Sequence, residues 1–253
     1  MKKSINRISS YAGRVVLEII RDPISYIFAL GFPLVMLLIM TVVNASIPAE
    51  AAMTLFESVN LVPGISVFGL TFMALFTAIL IASDRSDGFL VRAALSPMSR
   101  FELAAGYIVP VVGLSVVQCI IAYAAGMVLQ GRFLLTETLF AVAVSLPTIV
   151  FFAEFGFIVG FVFSQKSAPA VSSIMISAAS MLGGVWMDND SLGGAWLDIC
   201  RALPFYHSVK AARLAYSGST DGILLSLAVT LAYVIVLVPI TAAVISKKRM
   251  ECR

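Results

Sequence analysis

Few residues in this chain combine a reactive type with a telling position. Glu154 is the one formal charge deep inside a long apolar run, about 14 Å from its end at 1.5 Å per residue. A carboxylate held in hydrocarbon is costly and by default marks function. Substrate contact, proton linkage and a hydrogen bond locking two helices are all open to it. His207 is the sole histidine and sits in a polar stretch, where a packed, hydrogen-bonded role fits better than acid–base catalysis. Asp188-Asn189-Asp190 has the donors for a cation but the spacing of a turn. Cys119, Cys200 and Cys252 are widely separated and form no CxxC, which reads as free thiols. No GxxxxGK[ST] occurs, so the sequence lacks a phosphate-cradling loop.

These residues are carried by apolar elements. Of 253 residues, 60% are hydrophobic and only 12% charged, against about 25% charged in a soluble domain. Too few charges remain to cover a water-exposed surface, and the net charge of +3 is too small to argue for nucleic acid. An all-α integral membrane protein is expected. Crossing ~30 Å of hydrocarbon takes about 20 apolar residues, and six runs qualify: Tyr26–Val43, Val62–Ser83, Ala104–Leu129, Thr138–Phe163, Ala168–Trp186 and Gly222–Ser246. The chain reads as one transmembrane domain, 1–253, with no cleavable signal peptide, internal repeat or low-complexity segment.

Basic residues orient the spans. Thirteen of the 17 Lys and Arg fall on the side of the termini and only four on the other. The positive-inside rule then puts both termini in the cytoplasm.

The segments between spans carry more pattern. Over residues 1–25, Ile5, Ile8, Ala12, Val15, Val16 and Ile19 recur at three- and four-residue steps, with Asn6, Arg7, Arg14, Glu18 and Arg21 opposite. That predicts an amphipathic helix on the anionic inner leaflet, ended by Asp22-Pro23. It serves either as a surface anchor or also as a docking edge for a cytoplasmic partner. The cytoplasmic stretch 84–103 predicts a short helix over Gly88–Leu95, capped by Asp87 and closed by Pro97. Phe89, Leu90, Ala93 and Ala94 form its apolar edge. Ser99 and Glu102 have capping-box spacing for the third span. In the external stretch 187–221, two apolar-periodic pieces, Ala195–Leu203 and Phe205–Tyr216, predict re-entrant or outer-face helices.

Within the spans, Phe68, Phe72 and Phe76 make an aromatic stripe in span two, suited either to a flat apolar substrate or to packing. Span five is rich in small residues (Ala170, Ser172, Ser173, Ser177, Ala178, Ala179, Ser180, Gly183 and Gly184) and fits a dimer seam or a pore wall. Gly156 and Gly160 form a GxxxG, a spacing common by chance.

Four of these features, in this order, resemble the type-2 permease family of ATP-binding-cassette (ABC) exporters. They are the helix ending in Arg21-Asp22-Pro23, the Pro63-Gly64 that opens span two, the loop from Asp84 to Pro97, and Leu203-Pro204-Phe205 leading through His207 to Arg213. The family often has Gly-Thr-Leu-Glu where this chain reads Gly88-Phe89-Leu90-Val91, and an acid where Lys210 stands.

The resemblance implies a permease subunit, not itself an enzyme, that exports an apolar or amphiphilic substrate such as a drug, antibiotic, lipid or glycolipid. It implies a separate ATP-binding-cassette ATPase subunit that handles ATP and magnesium, so that this chain binds no cofactor. It also implies a second permease, identical or related, and a bacterial inner or plasma membrane. Asp87, Gly88, Phe89, Leu90 and Arg92 would form the coupling helix against the ATPase, with the Ser164–Ser167 turn as a secondary contact. Spans two and five would line the path, giving Phe68, Phe72 and Phe76 as substrate-path residues, with Glu154 of span four added for its depth in the membrane.

Two other classes compete. Asp87 to Arg92 echoes the start of a lipid head-group transferase signature, but the next acid is Glu102 and span three has none to hold metals. An intramembrane serine protease needs a histidine inside a span, and there is none. A membrane enzyme acting on lipid thus fails on ligand count. A non-transporting membrane scaffold conflicts with no residue.

Overall fold

The computed structural model describes residues 2–48, 54–90, 92, 99–131 and 133–251. Among these residues every regular element is helical. Helix α1 (Lys2–Arg21) is followed by a four-residue α2 (Pro23–Tyr26), a π-helical turn over Ile27–Gly31 and α3 (Phe32–Ser46). A 3₁₀ turn, Thr54–Phe56, leads into α4 (Ser58–Ser86), and α5 covers Arg100–Gln130. Then come α6 (Leu135–Val144), α7 (Leu146–Val162) and α8 (Ala168–Leu182). Short helices α9 (Asn189–Leu192), α10 (Gly194–Ala202) and α11 (Pro204–Tyr216) precede the last long one, α12 (Ile223–Glu251).

Among the described residues three helices are long and apolar enough to cross a bilayer: α4, α5 from Phe101, and α12 to Ser246. The expected fourth span is two helices, α6 and α7, bent by 43°. Pro147 explains the break, because its ring displaces the helical carbonyl four residues earlier and it has no N–H to donate. At the bend the Ser145 hydroxyl and N–H both donate to the Ala141 carbonyl, at 2.8 and 3.0 Å. The first and fifth expected spans are shorter helices, α3 and α8, of 15 residues each. Helix α8 stops at Leu182, four residues before the Trp186 boundary expected from hydropathy. The chain turns there at Gly183 and Gly184.

Helix α4 is the axis of the molecule. Its apolar window is 94% buried within the chain, whereas that of α12 is 17% buried and faces outward. Around α4 pack α3, α5, α7, α8 and α11. Its closest neighbour is α7. A Cβ on Gly156 would overlap the Ala74 carbonyl oxygen, and one on Gly160 would overlap that of Ala78. The GxxxG therefore lets two backbones meet, and is not the chance spacing that the sequence alone suggests.

The stretch 187–221 forms the two helices that its periodicity predicts, α10 and α11, which meet at Leu203. Ser99 and Glu102 form the full capping box at the start of α5, with Glu102 N–H donating to Ser99 Oγ at 3.2 Å and Ser99 N–H to Glu102 Oε2 at 2.7 Å.

Candidate functional site

At one end of α4, helices α1 and α5 converge on Asp84. The carboxylate is buried in the last turn of the helix. Arg14 of α1 donates to it through both terminal nitrogens, Nη1 to Oδ2 at 2.8 Å and Nη2 to Oδ1 at 2.7 Å. The Tyr107 hydroxyl of α5 donates to the same Oδ2. A fork-to-fork arginine–carboxylate pair fixes direction as well as distance. Asp84's hydrogen bonds raise the Arg14 pKa above its ordinary value. Glu18, 3.0 Å from Arg14, is raised by burial first and by the nearby Asp84 charge second.

Arg14 also reaches the loop beyond α4, because its guanidinium carbon lies 3.6 Å from the centroid of the Phe89 ring. Tyr11, one turn before Arg14, packs on Phe89 at 5.8 Å and edge-on against Tyr107 at 5.2 Å. Tyr11, Val15 and Ile19 are the residues of α1 that are buried, and α1 lies across α5. Arg14, assigned by helical periodicity to the solvent face, instead turns inward.

The expected coupling residues separate into two groups. Leu90 is buried in the chain and Phe89 is half-buried against Arg14. Asp87 and Arg92 are exposed. Asp87 is the residue at which α4 ends, with its N–H on the Ser83 carbonyl. Gly88, at φ +69°, turns the chain, and its carbonyl accepts from Arg92 N–H at 3.3 Å. The rest of the short helix expected over Gly88–Leu95 (Val91 and 93–95), together with Pro97, lies outside the described residues. Beside this loop, Arg85 donates to the Phe161 and Phe163 carbonyls at the end of α7, and Ser86 donates to Gln165 at 3.1 Å. The 84–90 stretch is thereby tied to the turn at Ser164–Ser167.

The opposite end of α4 is held by another arginine. Arg213 of α11 donates from Nε to the Asn60 carbonyl at 3.1 Å and from Nη2 to the Gly184 carbonyl at 2.9 Å. Its Nη2 would lie 3.3 Å from a Cβ on Gly64, tighter than ordinary van der Waals contact. Burial lowers the Arg213 pKa to about 10. His207 is buried, with Nδ1 3.3 Å from Ser226 Oγ and Nε2 2.9 Å from the Arg201 carbonyl. Burial also depresses its pKa. Asp188 caps α9, accepting from Asp190 N–H at 3.1 Å.

Phe68, Phe72 and Phe76 are all buried. Phe72 stacks 4.2 Å from Phe32 of α3, and Phe68 meets Trp186 edge-on at 5.0 Å. Glu154 is buried in α7, and its Oε2 has no hydrogen-bond partner among the described residues. The locking hydrogen bond conceivable from sequence is thus not made by that oxygen. Ala170, Ser173 and Ser177 line an exposed face of α8, while Ser172, Met175 and Ala179 face inward.

Two features of this arrangement escape sequence reasoning, the Arg14–Asp84 pair and the Arg213–Gly64 contact. The available signals were an arginine three residues after Tyr11 on one edge of α1, and a glycine placed directly after Pro63, which lies inside α4 and not at its start as expected. A family profile described as ABC-2 type transporter (ABC2_membrane) matches residues 7–216. No curated protein matches the chain in sequence.

Proposed function

The chain belongs to the ABC-2 type transporter family, and from that membership we propose an exporter permease driven by a separate ATPase subunit. The family is a membrane domain of ABC transporters, so this chain is a multi-pass permease subunit. The observation that carries the finer reading is the Arg14 side chain, which holds Asp84 and covers Phe89 at once.

This geometry supports a coupling mechanism. Asp87 and Arg92 are exposed and meet the ATPase subunit. Phe89 and Leu90 transmit the contact inward. When ATP binding draws the two ATPase subunits together, the loop moves, and Arg14 makes α1 and the end of α4 move with it. Helix α4, about 43 Å long for its 29 residues, carries that displacement to Asn60 and Arg213 at the far end. A helix buried on all sides transmits motion well because close-packed interiors compress little.

The remaining features of the reading have their own supports. The helical runs, with α3 and α8 counted as short spans and α6–α7 as a broken one, would give six crossings. The excess of basic residues on one side supports cytoplasmic termini, and the family likeness supports a bacterial inner membrane. The exposed small-residue face of α8 fits a second permease copy closing a shared path. Few polar groups inside the spans favour an apolar or amphiphilic cargo such as a drug, antibiotic, lipid or glycolipid.

The test is co-purification of the tagged chain from native membranes in mild detergent, assayed for ATPase activity. The charge-reversed pair Asp87→Lys, Arg92→Glu should lose the bound ATPase while the chain stays inserted and folded. Full retention of ATPase in that variant would overturn the coupling assignment.

A further inference from the structure

The Arg213 end of α4 carries charges that the Arg14 end does not leave open. Arg213 and Lys210, three residues apart on α11, both line a cavity of about 240 Å³ shared with Asn60, Gly184, Asp188 and Asp190. Arg213 donates two of its five N–H groups to backbone carbonyls, which leaves its charge unneutralised. Lys210 donates to the Tyr206 hydroxyl at 3.2 Å, and its ammonium lies 5.3 Å from the centre of that ring. Among the described residues, neither cation is ion-paired.

The two acids in the cavity wall are already engaged. Asp188 accepts from the Asp190 N–H at 3.1 Å and from the Ser191 hydroxyl. Asp190 accepts from the Tyr206 hydroxyl at 2.7 Å and pairs with Arg201 at 3.6 Å. Asp188 and Asp190 both favour the charged form of Arg213, yet burial outweighs them and its pKa falls. With those carboxylates held by other donors they offset the half-buried Arg213 charge only in part, and an anion entering the cavity offsets it further. The first turn of α4 borders the same space at Asn60 and adds the positive end of its dipole.

We infer that this cavity binds an oxyanion, a phosphate or carboxylate group, between Lys210 and Arg213. The group is either a free anion or the head of an amphiphile, since both present the same oxygens. Arginine with lysine suits that chemistry, one supplying a planar fork and the other a mobile point charge. The inference stands on the cavity itself and does not require the transport reading.

The purified chain reports binding without any ATPase or cargo. Thermal unfolding and the fluorescence of Trp196, whose indole N–H donates to Asn189 at 3.1 Å, are followed as inorganic phosphate is titrated in neutral detergent. In parallel, the chain is placed in lipid discs of phosphatidylglycerol or of an uncharged galactolipid. Lys210→Met should bind phosphate at least about tenfold more weakly than the unaltered chain, as expected for losing a hydrogen bond from a charged donor, while Lys210→Arg retains binding. A saturable phosphate response lost in Lys210→Met places a free oxyanion in the cavity. Stabilisation only in phosphatidylglycerol discs, again lost in Lys210→Met, places a lipid head group there. If neither arm separates Lys210→Met from the unaltered chain, the inference is overturned, and the coupling mechanism is untouched.

Discussion

Arg14 grips Asp84 through both terminal guanidinium nitrogens, at 2.7 and 2.8 Å, across 70 residues of sequence. The same guanidinium lies over Phe89, 3.6 Å from its ring centre. One side chain thus joins the amphipathic helix, the end of the buried axis and the loop proposed to meet the ATPase. Asp84 is buried while Arg14 is about one-third exposed, so removing the arginine strands an acid that water reaches poorly.

Asp84→Asn keeps the shape of the side chain but removes the charge that both Arg14 and Tyr107 point at. We expect it to lower stability by about 2 kcal/mol, in the range for hydrogen bonds to charged groups. ATP-driven transport should fall by more than the loss of folded protein explains. Arg14→Lys should show the same uncoupling in milder form, because an ammonium cannot make the forked pair. Unfolding midpoints and vesicle transport, measured on the same preparations, separate the two effects.

Gly156→Ala tests the closest helix contact. The added methyl would overlap the Ala74 carbonyl oxygen, and a backbone atom inside a buried helix cannot swing away. Overpacking of this kind costs about 1–3 kcal/mol. Gly113→Ala is the control, since among the described residues nothing lies within 4 Å of where its methyl would stand, and the substitution gains helix propensity of about 1 kcal/mol. Thermal unfolding in detergent should move in opposite directions for the two variants.

Local pattern explains which parts of this arrangement are legible in the sequence. The extent of α1, the capping box at Ser99 and the pair α10–α11 depend on periodicity and caps within about a dozen residues, and the chain folds that way. Arg14 is misplaced toward solvent by a single-helix view, which treats every charge as outward-facing. Its partner Asp84 is distant in sequence, so no local rule connects them. The break after Ser145 has a signal in Pro147, but the unbroken hydropathy from Thr138 to Phe163 conceals it. Gly156 and Gly160 gain meaning only once Ala74 and Ala78 are opposite them.

His207 gives a pH dependence with a definite sign. Burial is the main cause of a folded-state pKa below the ordinary 6.5, so the unfolded chain binds the proton more readily. Stability contributed by the neutral ring is then complete above about pH 6.5 and declines as the pH falls through that value toward the folded pKa. His207→Gln should flatten this decline while lowering the midpoint at neutral pH, because its amide cannot span both Ser226 and the Arg201 carbonyl as the ring does. Unfolding midpoints between pH 5 and 8 for both chains check the sign.

Glu154 offers the sharpest separation between stability and transport. Its Oε2 is buried without a hydrogen-bond partner among the described residues, so the fold of one chain gains nothing from that oxygen. An unsatisfied buried polar atom costs about 1–3 kcal/mol. Glu154→Met, similar in length and apolar, should therefore leave the unfolding midpoint unchanged or raise it. A role in moving cargo or protons predicts lost transport in the same variant, with Glu154→Asp keeping part of it. A marked loss of stability in Glu154→Met confined to the assembled complex would instead show that the carboxyl finds its partner there. Unfolding of the lone chain and of the complex with its ATPase, compared side by side, would then locate that partner.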